Sequence, residues 1–314
     1  MSNTLSPAQL HSVIRELGFE AEMSLLRDEI AGWIAGCDQE MQPALDWQFR
    51  SGSKYFRPLT IFACHRAVHG RGEIPPHVMR SALAVELFHN MTLVVDDILD
   101  RSDSRRDRAT LHVRFGELTA LMASGYVVAE GYRIVQDDAH AIGLLSELLR
   151  RLGVAECMQW RLRRSPLGVE DWRMIAGEDT GSMFEVCACL GDRSNRLRRF
   201  GGLLGVLYHG CDDVGDVRGA KALGGGGAED LRDGILTLPA ALAIRDPAIA
   251  EIFCDPRDER DIDALGRSFQ AQLPEAEAQL DEIARQARTE ARLFAADPTP
   301  LLHLIDHTRQ LSGR

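Results

Sequence analysis

The stretch VMRSALAVELFHNMTLVVDDILD, residues 78–100, decides the fold class. Val78, Leu83, Val85, Leu87, Phe88, Met91, Val94 and Val95 recur through it with no internal Gly or Pro. On a helical wheel they cover most faces rather than one stripe, and such a helix is stable only when neighbours bury it on several sides. The spacing therefore predicts a helix at the centre of a domain. Its last five residues, Asp96-Asp97-Ile98-Leu99-Asp100, change character abruptly: a buried apolar helix that ends in three carboxylates.

Working outward, the same periodicity dominates. Between Pro7 and Ala35, Leu10, Ile14, Leu17, Met23, Leu26, Ile30 and Ile34 follow helical spacing with one offset at Gly18. Residues 117–135, 140–163, 170–190, 196–217, 237–245 and 261–295 also suit helices, separated by turns such as Ser165-Pro166-Leu167-Gly168. Alternating strand patterns are nearly absent and aromatic residues make up 6% of the chain, too few for strand-rich cores. The expected fold is all-α, with residues 1–314 forming one helical domain, since neither a repeat nor a linker divides them.

Charge and composition narrow the function. The 314 residues carry 36 Lys+Arg against 47 Asp+Glu, a net charge of −11 that argues against nucleic-acid binding, which needs a basic face. No apolar run approaches the ~18 residues of a membrane span, and the N-terminal residues lack a signal-peptide layout, so a cytoplasmic location is expected. Seven cysteines without a CxxC pair fit reduced thiols packed as small hydrophobes.

The chemistry lies in two acidic clusters. On a helix Asp96 and Asp100 share a face, about 6 Å apart along the axis, and repel unless a cation lies between them. Oxygen donors of like charge suit a hard divalent ion such as Mg²⁺, which shares phosphate oxygens. The arrangement recurs as Asp212-Asp213-Val214-Gly215-Asp216. Solvated helix ends are the alternative, although a helix C-terminus disfavours anions. Beside the first cluster come Arg101, Arg105, Arg106 and Arg108, and upstream Lys54 and Arg57 precede a long helix. Lys and Arg next to paired aspartates suit a polyphosphate held jointly by metal and cations.

Taken in order, these segments resemble the trans-isoprenyl (polyprenyl) diphosphate synthases from about Ser51 to Pro239. Gly52-Ser53-Lys54-Tyr55-Phe56-Arg57-Pro58 is similar to the family's GGKRxRP segment. Glu86-Leu87-Phe88-His89 with Asp96–Asp100 is similar to its first aspartate-rich helix, and Arg105-Arg106-Asp107-Arg108-Ala109-Thr110-Leu111-His112 to its RRGxPTxH. Asp212–Asp216 resembles the second aspartate motif, and Asp230–Pro239 the segment after it.

The resemblance implies a helical bundle around a deep cavity, usually a homodimer, that condenses an allylic diphosphate with isopentenyl diphosphate. It implies that Asp96, Asp100 and Asp212 ligate Mg²⁺, roughly three ions with the diphosphate bound and Mn²⁺ as a substitute, with Asp97, Asp213 and Asp216 completing the catalytic clusters. Arg105 would hold the allylic diphosphate, with Thr180 and His209 beside it; Lys54, Arg57, His89 and Arg106 would hold isopentenyl diphosphate. Phe88, Met91 and Thr92 would set chain length, pointing to short products of roughly C15–C20 by family analogy.

The departures are specific. The family's Lys-Thr pair appears as Asp179-Thr180, its Phe-Gln as Tyr208-His209, and its lysine-bearing loop has Gly225 and Glu229. The allylic half thus loses cations that His209 or an arginine from residues 161–164 would have to replace. Two alternatives follow: a homologue that binds prenyl diphosphates without turnover or partners an active subunit, and a class I terpene cyclase. Residues Asp216 and Ala220, where a cyclase would carry Ser/Thr and Glu, do not meet the cyclase pattern.

Overall fold

The central helix runs from Pro76 to Leu99 in the computed structural model, which describes residues 13–50, 55–105, 108–219 and 227–313. After a short helical stretch at 13–17, the helices in chain order are α1 (Glu20–Gly36), α2 (Gln42–Phe49), α3 (Phe56–His69), α4 (Pro76–Leu99), α5 (Leu111–Phe115), α6 (Glu117–Ile134), α7 (Ala139–Arg161) and α8 (Val169–Ala176). There follow α9 (Ser182–Asp192), α10 (Arg198–Val217), α11 (Gly227–Asp233), α12 (Leu238–Ala243), α13 (Pro247–Cys254), α14 (Glu259–Ala271), α15 (Leu273–Phe294) and α16 (Thr299–Gln310). Among the described residues the only strands are Ser104–Arg105 and Arg108–Ala109, an antiparallel pair in which Arg105 faces Arg108. The fold is all-α, as the periodicity requires.

Helix α4 is buried as its pattern predicts. Pro75 holds the extended N-cap and Pro76 opens the first turn, where a missing N–H costs nothing. Val78, Leu83, Val85, Leu87 and Phe88 are buried along it, and so are Glu86 and Asp97. Helix α6 packs closely across it: a Cβ on Gly131 would lie 2.4 Å from the Phe88 ring, so only glycine permits this approach. The largest core cluster extends from Val13 to Leu311 and includes residues of α3, α4, α9 and α10.

Three boundaries differ from the periodicity. Residues 13–35 form two helices because Gly18 takes a left-handed backbone (φ 67°); the expected start at Pro7 lies outside the described residues. The segment 261–295 divides at Gln272, with Pro274 in the first turn of α15, the position a helix tolerates for proline. The segment 170–190 is interrupted by a wide π turn, Gly177–Gly181, that separates α8 from α9. Helix α10 presses on this turn: a Cβ on Gly205 would lie 2.6 Å from Gly181 Cα and 2.7 Å from the Thr180 carbonyl oxygen. The π turn shifts the helical phase, and the close approach at Gly205, one turn before His209, brings the Thr180 hydroxyl to 3.0 Å from His209 Nδ1.

Helices α4 and α10 both end in their aspartate motifs, and both motifs border the same cavity. No described helix is long and apolar enough to cross a membrane. All seven cysteines are free, with Cys37, Cys64, Cys187, Cys189 and Cys211 buried and Cys157 and Cys254 exposed.

Candidate functional site

A cavity of about 490 Å³ opens between α3, α4, α7, the π turn and α10. Its polar wall brings together Arg57, His89, Asp96, Arg105, Thr180, His209 and Asp212, seven of the residues singled out from sequence. Lys54 and Arg106 lie outside the described residues, as does Gly225. The apolar wall includes Met91, Leu149, Leu152, Met183 and Tyr208, with Thr92 beside Met91.

Helical phase sorts each aspartate triplet into three roles. The first residue faces the cavity, as Asp96 and Asp212 do. The second turns into the protein. Asp97, 2% exposed, accepts a hydrogen bond from Arg105 Nε at 2.7 Å. Asp213 Oδ2 accepts from Trp172 Nε1 and from the Leu238 backbone N–H, both at 2.8 Å, and so ties α8 and the start of α12 to α10. The last residue sits at the rim: Asp100 pairs with Arg163 at 3.0 Å, and Asp216 is half-buried. Asp97 and Asp213 therefore brace the site from behind, because a residue one position on from the cavity-facing aspartate is rotated about 100° around the helix.

Phe88 departs from its expected place. It is fully buried with its ring 5.3 Å from that of Tyr132, sealed one turn beneath Met91 and Thr92, and does not line the cavity. The reason is depth: α6 closes over α4 at Gly131, and the open space ends before Phe88.

The cavity also holds carboxylates that the motifs do not contain. Glu156 of α7 lies on the same face as Leu149, Leu152 and Gly153, and Glu86 of α4 accepts from Asn90 Nδ2 at 3.3 Å. Glu156 was legible in principle as the polar residue of an otherwise apolar face one turn beyond Leu152. Five carboxylates (Glu86, Asp96, Glu156, Asp179, Asp212) thus face two arginines. Burial, then the charges of Glu156 and Asp179, push Asp96 well above the usual carboxylate range. Burial, with Asp179 and Asp100, pushes Glu156 up to about 7, and burial with Asp213 and Asp216 does the same to Asp230 near the second motif. Carboxylates that resist sharing ionisation fit a divalent cation by donor type and charge. Among the described residues no three His, Cys, Asp or Glu side chains converge closely enough to hold a metal unaided. Asp96 and Asp212 offer the carboxylate donors from which a hard divalent ion is commonly held together with waters and substrate phosphate.

The cations occupy separate walls. Arg57 Nη1 lies 3.0 Å from His89 Nε2 with its guanidinium 5.5 Å over Phe184. Arg105 is presented by the two-residue strand pair and held by Asp97. On the third wall Thr180 donates its hydroxyl to Asp179 at 3.0 Å, so it accepts from His209 Nδ1, also 3.0 Å away. Burial alone would lower the His209 pKa, yet Asp213, 3.8 Å from Nε2, and Asp179, 3.4 Å from Nδ1, raise it to about 9. The acid that stands in place of a lysine is thereby paired with an imidazolium.

The polyprenyl synthetase family matches residues 38–268. Nonaprenyl diphosphate synthase of Mycobacterium tuberculosis is 27% identical over 298 residues, covering 88% of this chain and 88% of that protein. Geranylgeranyl diphosphate synthase of Saccharolobus solfataricus is 30% identical over 210 residues, 60% of this chain and 62% of that one. The crystal structure of a polyprenyl synthase from Caulobacter crescentus, complexed with calcium and isoprenyl diphosphate, superposes with a TM-score of 0.84 at 24% identity, covering 96% of this chain and 97% of that one. The helical bundle is thus the isoprenoid synthase fold, and the chain belongs to the polyprenyl synthetase family as a prenyltransferase.

Proposed function

We propose that this prenyltransferase condenses isopentenyl diphosphate with an allylic diphosphate in a divalent-metal-dependent reaction, giving a product of roughly C15–C20 within a cavity of ordinary ligand size. The observation that carries the reading is the cavity itself. It sets Asp96 and Asp212, the leading residues of both aspartate motifs, on one wall system with Arg57, His89 and Arg105 above an apolar floor.

Arg57 and His89 bind the diphosphate of isopentenyl diphosphate, with Lys54 and Arg106. Arg105, held by Asp97, orients the allylic diphosphate. Asp96, Asp100 and Asp212 would hold Mg²⁺, which when bound neutralises charge growing on the leaving group. The allylic C–O bond breaks with its electron pair going to the diphosphate. The isopentenyl double bond then forms the new C–C bond, and the released pyrophosphate takes the proton. Met91, Leu152, Met183 and Tyr208 keep water from the carbocation.

Met91 and Thr92 wall the cavity with Phe88 sealed beneath, which supports a short product. The similarity to a nonaprenyl synthase points to a longer one, so chain length is the finer part of the proposal. A homodimer is supported by an unpartnered apolar stripe on α6, where Leu118, Leu121 and Met122 are 74%, 49% and 54% exposed. A cytoplasmic location is supported by seven free cysteines. The core cluster, which reaches from Val13 to Leu311, supports a single domain for the described residues.

The test is incubation with Mg²⁺, isopentenyl diphosphate and, separately, dimethylallyl, geranyl and farnesyl diphosphates, read by mass spectrometry. Longer prenyl diphosphates are expected. Hydrocarbons formed without isopentenyl diphosphate would make the protein a cyclase. A folded protein that binds diphosphate but yields no product would favour the non-catalytic or partner-dependent reading, for which Asp179 in a lysine's place is the specific observation.

A further inference from the structure

The allylic half of the cavity has an acid, Asp179, where a lysine is expected, and the pairing of Asp179 with His209 cancels that charge without adding a free cation. Of the three arginines in 161–164, Arg164 is committed elsewhere. Its backbone is left-handed (φ 61°), and its guanidinium donates to the carbonyls of Arg232 and Phe253. Arg161 ends α7 on the exposed surface.

Arg163 is placed differently. Its side chain is 19% exposed, its Nη2 lies 3.0 Å from Asp100 Oδ1, and its Nη1 lies 3.3 Å from Asp233 Oδ2. The guanidinium stacks 4.1 Å over Trp160, and its buried Nε has no hydrogen-bond partner. Arg163 thus joins the end of α4 to the end of α11, close enough to the cavity-lining Glu156 for its charge to draw that carboxyl's pKa down.

We infer that Arg163 is a diphosphate-binding residue of the allylic site, supplying the cation that the altered lysine positions no longer provide. This rests on the prenyl-transfer reading above. Trp160 holds the face of the guanidinium and leaves its in-plane donors exchangeable, the geometry in which Arg recognises phosphate. Asp100 is one of the carboxylates assigned to the divalent ion. Were Asp100 to hold that ion, Nη2 would need another acceptor, and a diphosphate bound beside it would supply one.

The competing account is mechanical: Arg163 only latches α11 to α4 through Asp233. Steady-state kinetics on Arg163→Gln, Arg163→Lys and Asp233→Asn separate the two, together with calorimetric binding of inorganic pyrophosphate in Mg²⁺. Arg163→Gln is expected to raise the allylic KM and the pyrophosphate Kd about 10- to 100-fold, the weight of a charge-assisted hydrogen bond, with the isopentenyl KM changed less than about twofold. Arg163→Lys, which keeps the charge, should recover part of that loss, and Asp233→Asn should change the allylic KM less than about twofold. Melting curves establish that each variant folds. Unchanged allylic KM and pyrophosphate affinity in Arg163→Gln, or an equal loss in Asp233→Asn, would overturn the inference. A wild-type protein that forms no prenyl product, yet loses pyrophosphate affinity on Arg163→Gln, would overturn the prenyl-transfer reading and keep Arg163 as a diphosphate ligand.

Discussion

The two aspartate motifs have the same spacing and end the same kind of helix, but their surroundings differ. Around the first, Asp97 meets Arg105 and Asp100 meets Arg163, so two of its three carboxylates have an arginine partner. Around the second, Asp213 accepts from neutral donors, Trp172 and the Leu238 N–H, and lies 3.8 Å from His209 Nε2, a histidine whose pKa is itself raised by the acids beside it. Both motifs present their leading aspartate to the cavity, but the bracing aspartate is held by an arginine in the first and by an indole and a backbone N–H that tie neighbouring helices together in the second. An identical acidic pattern acquires different work from what packs against it.

Substitutions along the motifs should break that comparison most severely at the leading positions. Asp96→Asn and Asp212→Asn are each expected to lower kcat about 10³-fold or more, measured by pyrophosphate release, because each removes a charge aimed at the developing leaving group. Asp97→Asn, which keeps an acceptor for Arg105, should cost far less. If Asp97→Asn matched Asp96→Asn, the division between cavity-facing and bracing residues would fail.

The next effect is on stability. Asp213→Ala leaves the buried Trp172 indole and the Leu238 N–H without acceptors, at a cost of about 2–4 kcal/mol in chemical denaturation. Phe88→Ala should cost a similar ~3–5 kcal/mol by opening a core cavity. The kinetic contrast lies at Met91. Met91→Ala removes the residue that walls the cavity and should lengthen the product by at least one isoprene unit on mass spectrometry, with little loss of stability. An unchanged product would remove Met91 from the chain-length wall.

The smallest expected effect concerns pH. The folded His209 pKa, about 9, lies above its ordinary 6.5, so the stabilisation it brings is complete below about 6.5 and is lost as pH rises through about 9. In the metal-free protein Tm should fall across that window, and His209→Gln should flatten the dependence. An equally steep fall in His209→Gln would assign the titration to another group.

Much of this was legible locally. The all-round apolar pattern of 78–95 predicts a central helix, and the helix is central. The two aspartate triplets, Arg57 with His89, and Arg105 are read from composition and order, and the structure sets Asp96, Asp212, Arg57, His89 and Arg105 on one cavity. Glu156 and Arg163 were less visible, since each is one charged residue in a helix or turn that carries several. Phe88 was misplaced for a related reason: a heptad below Val95 looks equivalent on a helical wheel, but α6 covers it.

The sequence by itself determined the helical class, the family and the residue types of the site, because hydrophobic period and motif order are properties of the chain alone. Only the tertiary structure decided which aspartate faces the cavity, where the cavity ends, and which arginine pairs with Asp100. Those depend on the phase of each helix against its neighbours, and that phase is set by contacts distant in sequence: Gly205 against the π turn, Gly131 against Phe88, and Asp213 against Trp172.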